Sequence, residues 1–179
     1  MRKLIWPVLF LFLLIVQGAV TVFYTGWPAF DLLLVFLYVF TIINGKYWGV
    51  GAGLAIGLLQ DGLTMGIFGF HMLTRATIAY VMGSIYKNIY QDRAGYHVGM
   101  LALGTLAIQG SYCFIELVLS GGQWRVLPSL IWEALGQAVG NGILVLPLLL
   151  LGYLVQQWVT SKEITYDLDA KHESAKRDH

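Results

Sequence analysis

The chain has 179 residues, 58% of them hydrophobic and 12% charged, with a formal net charge of +1 and a mean hydropathy of +0.69. Soluble domains carry about 25% charged residues, so this composition points to a chain solvated by lipid and argues against a water-soluble globule. The near-zero charge, with basic residues at segment ends and no basic patch, gives no footprint for nucleic acid. A single cysteine, Cys113, excludes a disulfide framework and a cysteine pair for metal.

The length allows five or six spans of about 20 apolar residues each, with short loops. Met1-Arg2-Lys3 precedes an apolar run over 4–23. The stretch VQGAVTVF lacks a small-x-small cleavage site and more apolar sequence follows, so a retained first helix is expected rather than a signal peptide. A turn at 24–28 leads to a second helix over 29–43, and Asn44-Gly45-Lys46 reads as a tight polar turn. The third helix, 46–60, is short for a full span and implies tilting or a thinned bilayer.

Residues 61–70 carry Gly62, Gly66 and Gly69 and read as a loop or buried elbow, since irregular backbone at membrane depth needs protein or water around it. A fourth helix over 70–87 ends in a polar stretch, 87–93. A fifth runs over 96–119 and stops at Ser120-Gly121-Gly122-Gln123. The sixth covers 127–159, longer than one span requires, with Pro147 as a candidate kink. The expectation is one six-helix transmembrane domain over 1–160 and a charged cytoplasmic tail over 161–179, with four basic and five acidic residues, predicted to be disordered.

Glycines recur every fourth residue in the third segment. Gly45, Gly49, Gly53, Gly57 and Asp61 fall on one slowly winding face of a helix. Glycine inside a water-exposed helix costs about 1 kcal/mol against alanine, so the repeat needs a compensating reason. Close approach of a second backbone supplies it, because helices in lipid associate through small faces. The spacing is a packing signal and carries no chemistry by itself.

With the N-terminus inside, Arg2, Lys3, Lys46, Lys87, Arg93 and Lys162 all fall on the cytoplasmic side, and only Arg125 lies outside. Trp6, Trp48 and Trp158 then mark the inner interface, and Trp27, Trp124 and Trp132 the outer one. Six spans with both ends in the cytoplasm satisfy this bias.

Six ionisable residues sit in or near apolar sequence: Asp31, Asp61, His71, Arg75, Glu116 and Glu133. A charge at the bilayer centre costs about 3 kcal/mol or more, so each needs a partner, a cavity or the headgroups. Asp31 and Asp61 lie near predicted helix ends, where they read as interfacial residues or N-caps. Arg75 is expected to pair with Asp61 across the elbow, clamping the third and fourth helices. Gln109, Tyr112 and Glu116 form one polar row, and Glu133, Gln137 and Asn141 a second. These rows either line a ligand cavity or bond to each other and to a partner; the latter is the preferred expectation. No nucleotide loop, zinc motif or nucleophile elbow occurs, and His71, His97, His172 and His179 form no ligand set, so no cofactor is expected.

The stretch WPAFDLLLVFLYVFTIINGKYWGVGAGLAIGLLQDGLTMGIFGFHMLTRATIAYVMGSIY resembles the MreD family of the bacterial rod-shape (elongation) system. The matching features are the Asp-Leu-Leu-Leu opening of the second helix, the basic turn, G-x3-G-x3-D at Gly53, Gly57 and Asp61, and an elbow bearing Gly66 and Gly69. The resemblance covers about 27–93, and Phe70-His71 stands where the family usually has a small polar residue. It implies an all-α membrane protein similar in fold to the S components of energy-coupling-factor transporters. It also implies a non-catalytic scaffold in the bacterial inner membrane. The implied partner is MreC, through its transmembrane helix, and indirectly MreB, RodA and an elongation transpeptidase. The rival expectation is a vitamin-binding S component, which requires a closed cavity between the two polar rows. An intramembrane acid catalyst using Asp61 or Glu133 is weaker still, for want of a second catalytic group.

Overall fold

The computed structural model describes residues 2–23, 30–63, 67–86, 94–119 and 124–177. The turn at 24–28, Gly66, and the polar stretches 87–93 and 120–123 lie outside the described residues. Six α-helices follow in chain order: α1 (Arg2–Phe23), α2 (Leu32–Asn44), α3 (Lys46–Leu63), α4 (Phe70–Tyr86), α5 (Ala94–Leu119) and α6 (Leu127–Arg177), with a 3-10 turn at Trp124–Val126 before the last.

The second helix is the centre of the bundle. LLLVFLYVFTIIN is apolar on every side, which marks a helix surrounded by others. All seven residues from Leu33 to Val39 are buried. Leu34, Val35, Tyr38, Val39 and Ile42 pack on Met82 of α4, Leu101 and Ile108 of α5, and Val145 and Leu149 of α6. Leu33, Phe36 and Leu37 pack the other way, on Leu13 of α1, Ile56 of α3 and Ala79 of α4. The glycine-rich third helix is thus one wall around this rod rather than the axis.

Helix directions follow from which residues meet. A Cβ on Gly53 would lie 3.0 Å from the backbone of Arg75 and Ala76, and one on Gly57 would strike the backbone of Met72. The two helices therefore run antiparallel with their backbones in contact, as the glycine spacing predicts. Thr105 and Gln109 of α5 meet Asn141 and Gln137 of α6, another antiparallel pair. A Cβ on Gly140 would meet Phe30, and one on Gly152 would meet Val39 and Ile43, so α6 lies parallel to α2.

Gly45 belongs to the turn between α2 and α3 and not to the packed row of α3, which starts at Lys46. Its φ of 92° is a conformation glycine adopts without strain, and its N–H donates to Thr41 O at 2.8 Å, closing α2. Gly49, Gly53, Gly57 and Asp61 are buried as a set.

Among the described residues two helices, Ala94–Leu119 and Leu127–Val155, are long and apolar enough to cross a membrane by themselves. Helices α3 and α4, 18 and 17 residues long, carry Asp61, His71 and Arg75, which lower their hydropathy below that of a free-standing span. The outer surface is nonetheless apolar: Ile15, Leu103, Phe114, Val118 and Ile143 are each more than 60% exposed. An exterior of this kind suits lipid and would aggregate in water.

The charged segment expected to be disordered continues α6 as helix to Arg177. Lysine, glutamate and alanine recur in it, and Asp167 with Lys171 and Glu173 with Arg177 stand four apart with opposite signs, both of which favour helix. At 1.5 Å per residue the 51-residue helix is about 76 Å long, more than twice the hydrocarbon thickness of a bilayer.

Candidate functional site

The polar residues of the six helices converge on residues 30–32, where α2 begins. Asp31 is the N-cap of α2: its Oδ1 accepts from Leu34 N at 2.9 Å. The same carboxylate accepts two bonds from Arg75 Nη2 of α4, at 3.1 and 2.9 Å. Arg75 Nε donates to Gln60 Oε1 of α3 at 2.8 Å. From α1, Gln17 Nε2 donates to Phe30 O and Gln17 Oε1 accepts from Leu32 N, both at 2.8 Å. On the far side, Asp31 N donates to Asn141 Oδ1 of α6 at 2.9 Å, and Asn141 Nδ2 donates to Thr105 Oγ1 of α5 at 3.1 Å.

One short segment is therefore bonded, directly or through one intermediate, to each of the six described helices. The arrangement follows from the cost of burying charge. The Arg75 side chain is 1% exposed and that of Asp31 15%, and neither charge is affordable in an apolar bundle without the other. Asn141 and Thr105 are fully enclosed, and each finds its partner in this network. Such a network holds helices together where lipid provides no hydrophobic drive between them.

The expected Asp61–Arg75 clamp is not formed. Asp61 instead closes the N-terminus of α4: its Oδ2 accepts from Gly69 N at 3.0 Å and Met72 N at 3.1 Å, and its Oδ1 from His71 N at 3.0 Å. The first turn of a helix presents unpaired N–H groups and a partial positive charge, and a carboxylate from the preceding helix satisfies both. Gly69, at φ 92°, bends the chain so that these donors point back at Asp61. That leaves Arg75, one turn further along, to Asp31. Asp61→Ala is expected to lower stability by about 2 kcal/mol, with Asp61→Asn retaining part of the loss; thermal melting of the detergent-solubilised chain reads both.

Of the two polar rows, one pair meets directly. Gln109 and Gln137 bond to each other. Asn141 points into the hub, Glu133 is exposed, and Glu116 is half-buried. Tyr112 is exposed, with its ring 6.1 Å from that of Phe70. A second buried contact, Tyr38 Oη to His97 Nδ1 at 2.8 Å, ties α2 to α5 nearer the other end. Among the described residues no group of three or more His, Cys, Asp or Glu side chains is arranged to hold a metal ion. Sequence reasoning passed over Gln17, Gln60 and Thr105, whose signal was an isolated polar residue within an apolar helix at the depth of Asp31.

An apolar exterior, an interior in which Arg75 is paired with Asp31 and Asp61 caps α4, and six packed helices among the described residues together define a helical membrane-protein bundle. A family model described as rod shape-determining protein MreD matches residues 1–155. The chain belongs to the MreD family, and it is a rod shape-determining membrane protein. Among curated proteins and among solved structures nothing matches.

Proposed function

We propose that this chain is a non-catalytic scaffold of the cell-wall elongation machinery that holds MreC through its transmembrane helix. Through MreC it stands in one assembly with MreB filaments, RodA and an elongation transpeptidase. The observation that favours a scaffold is the hub at Asp31: side chains of α1, α3, α4, α5 and α6 are bonded into one network around the start of α2, which leaves the outer faces for another protein. On this reading all six helices cross the inner membrane. The start of α1, the α2–α3 turn and the end of α6 lie on the cytoplasmic side, as the positions of Arg2, Lys3 and Lys46 favour.

The experiment is co-expression of the tagged full-length chain with MreC, followed by purification in mild detergent. Comparable amounts of the two proteins are expected in one peak on size-exclusion chromatography. A folded, monodisperse chain that never carries MreC would refute the reading.

A further inference from the structure

Beyond this scaffold role, we infer that the last part of α6 is a self-association element that pairs with the same segment of a second copy of this chain as a parallel two-stranded coil. The Tyr153 hydroxyl lies 3.4 Å from that of Tyr86, the last residue of α4. A Cβ on Gly152 would meet Ile43, next to the last residue of α2. Helices α1, α3 and α5 begin at this same end of the bundle: Trp6 packs on Phe40, Lys46 follows the α2–α3 turn, and His97 bonds to Tyr38. Residues 154–177 therefore run past the bundle as about 36 Å of helix, with no other described helix at that level. The family match ends at residue 155, where this stalk begins.

A helix in water takes most of its stability from an apolar face laid on a partner. From Leu154, alternating steps of three and four lead through Ser161, Ile164 and Leu168 to Ala175, the 3.5-residue period of a coiled-coil seam. Lys162, Tyr166, Glu173 and Arg177 fall on the opposite side of the helix. Over 162–177 four acidic and four basic residues cancel, so the stalk has no basic excess for an anionic membrane surface. A second helix is the occupant such a seam fits.

Orientation and charge select a second copy of this chain. Two copies in one membrane carry α6 in the same direction, which fixes a parallel pair, and confinement to the membrane raises their effective concentration. In a parallel coil the position preceding each seam pair flanks the position five further along on the other helix. That register sets position 167 against 172, an aspartate against a histidine, twice by symmetry, and position 160 against 165, both threonine. No like charges meet at these flanking positions. Gln157 and Lys171 are the polar members of the seam; they lower the strength of the coil, so pairing depends on confinement in the membrane.

The test is disulfide trapping of the full-length chain in isolated membranes, expressed without MreC and with Cys113→Ser removing the native thiol. Leu168→Cys, on the seam, should be trapped by mild oxidation as a dimer of twice the chain's mass, at about five times the yield of Tyr166→Cys on the opposite side. Lys171→Leu, which extends the apolar seam, should raise that yield. Ile164→Asp in the Leu168→Cys chain should abolish the dimer and leave the melting temperature of the bundle unchanged. A Leu168→Cys chain that stays monomeric or is trapped only with a protein of another mass would overturn the inference. So would equal yields from positions 166 and 168, or a dimer undiminished by Ile164→Asp.

Discussion

Replacing Arg75 with leucine is expected to cost about 3–5 kcal/mol, the range for leaving one member of a buried ion pair alone. Asp31 would lose both bonds from Nη2, and Gln60 the bond from Nε, at the point where all six helices are joined. The melting temperature in detergent should fall by roughly 10 °C. A second substitution separates charge from shape. Asp31→Asn removes the orphaned charge but keeps an oxygen to cap α2 and leaves the backbone bond to Asn141 untouched. The double variant Arg75→Leu with Asp31→Asn should therefore recover about half of the loss, because an ion pair replaced on both sides is far less costly than one broken. Strict additivity of the two substitutions would show that the pair carries no coupling.

Gly57→Leu is expected to be equally damaging through a different cause. The first carbon of the new side chain would already overlap Met72 Cα and N and the His71 carbonyl, all of them backbone, so no rotamer relieves the clash. Helix α4 would have to move away from α3, and Asp61, one turn beyond Gly57, would lose its grip on Gly69, His71 and Met72. Overpacking a close interface costs about 1–3 kcal/mol, and loss of the cap adds to it. Gly51 lies on the same helix with nothing within 4 Å of its Cβ direction. Gly51→Ala should leave the melting temperature unchanged or raise it slightly, since alanine is the better helix former. The contrast between these positions locates the interface more sharply than either substitution alone.

Much of this arrangement is written in local sequence. Four-residue glycine spacing identifies the face on which α3 meets α4, because only a face without side chains permits that approach. The caps are legible as well: Asp31 stands just before LLLVFLYVF, and Asp61 just before a glycine-bearing bend. The identity of each partner is not. Asp61 is the carboxylate nearest to Arg75 along the chain within apolar sequence, yet the bend at Gly69 turns α4's free N–H groups toward Asp61, and the bundle brings Asp31 to Arg75 from 44 residues away. Such a choice is made by helix packing, which no short window records. The central place of α2 is signalled by a helix apolar on all sides, a weaker mark to the eye than a glycine repeat. The segment after 160 misleads in the opposite direction, since a high charge content reads as disorder unless the signs are checked at helical spacing.

On the scaffold reading, this bundle serves rod shape through the packing of its helices. The most direct test of that reading is microscopy of host cells depleted of their own copy and supplied with variants. Depletion should turn rods into round cells, with the wild-type chain and Gly51→Ala restoring rods and Gly57→Leu failing to do so. Cells that stay rod-shaped on depletion, or that Gly57→Leu restores as fully as the wild type, would contradict it.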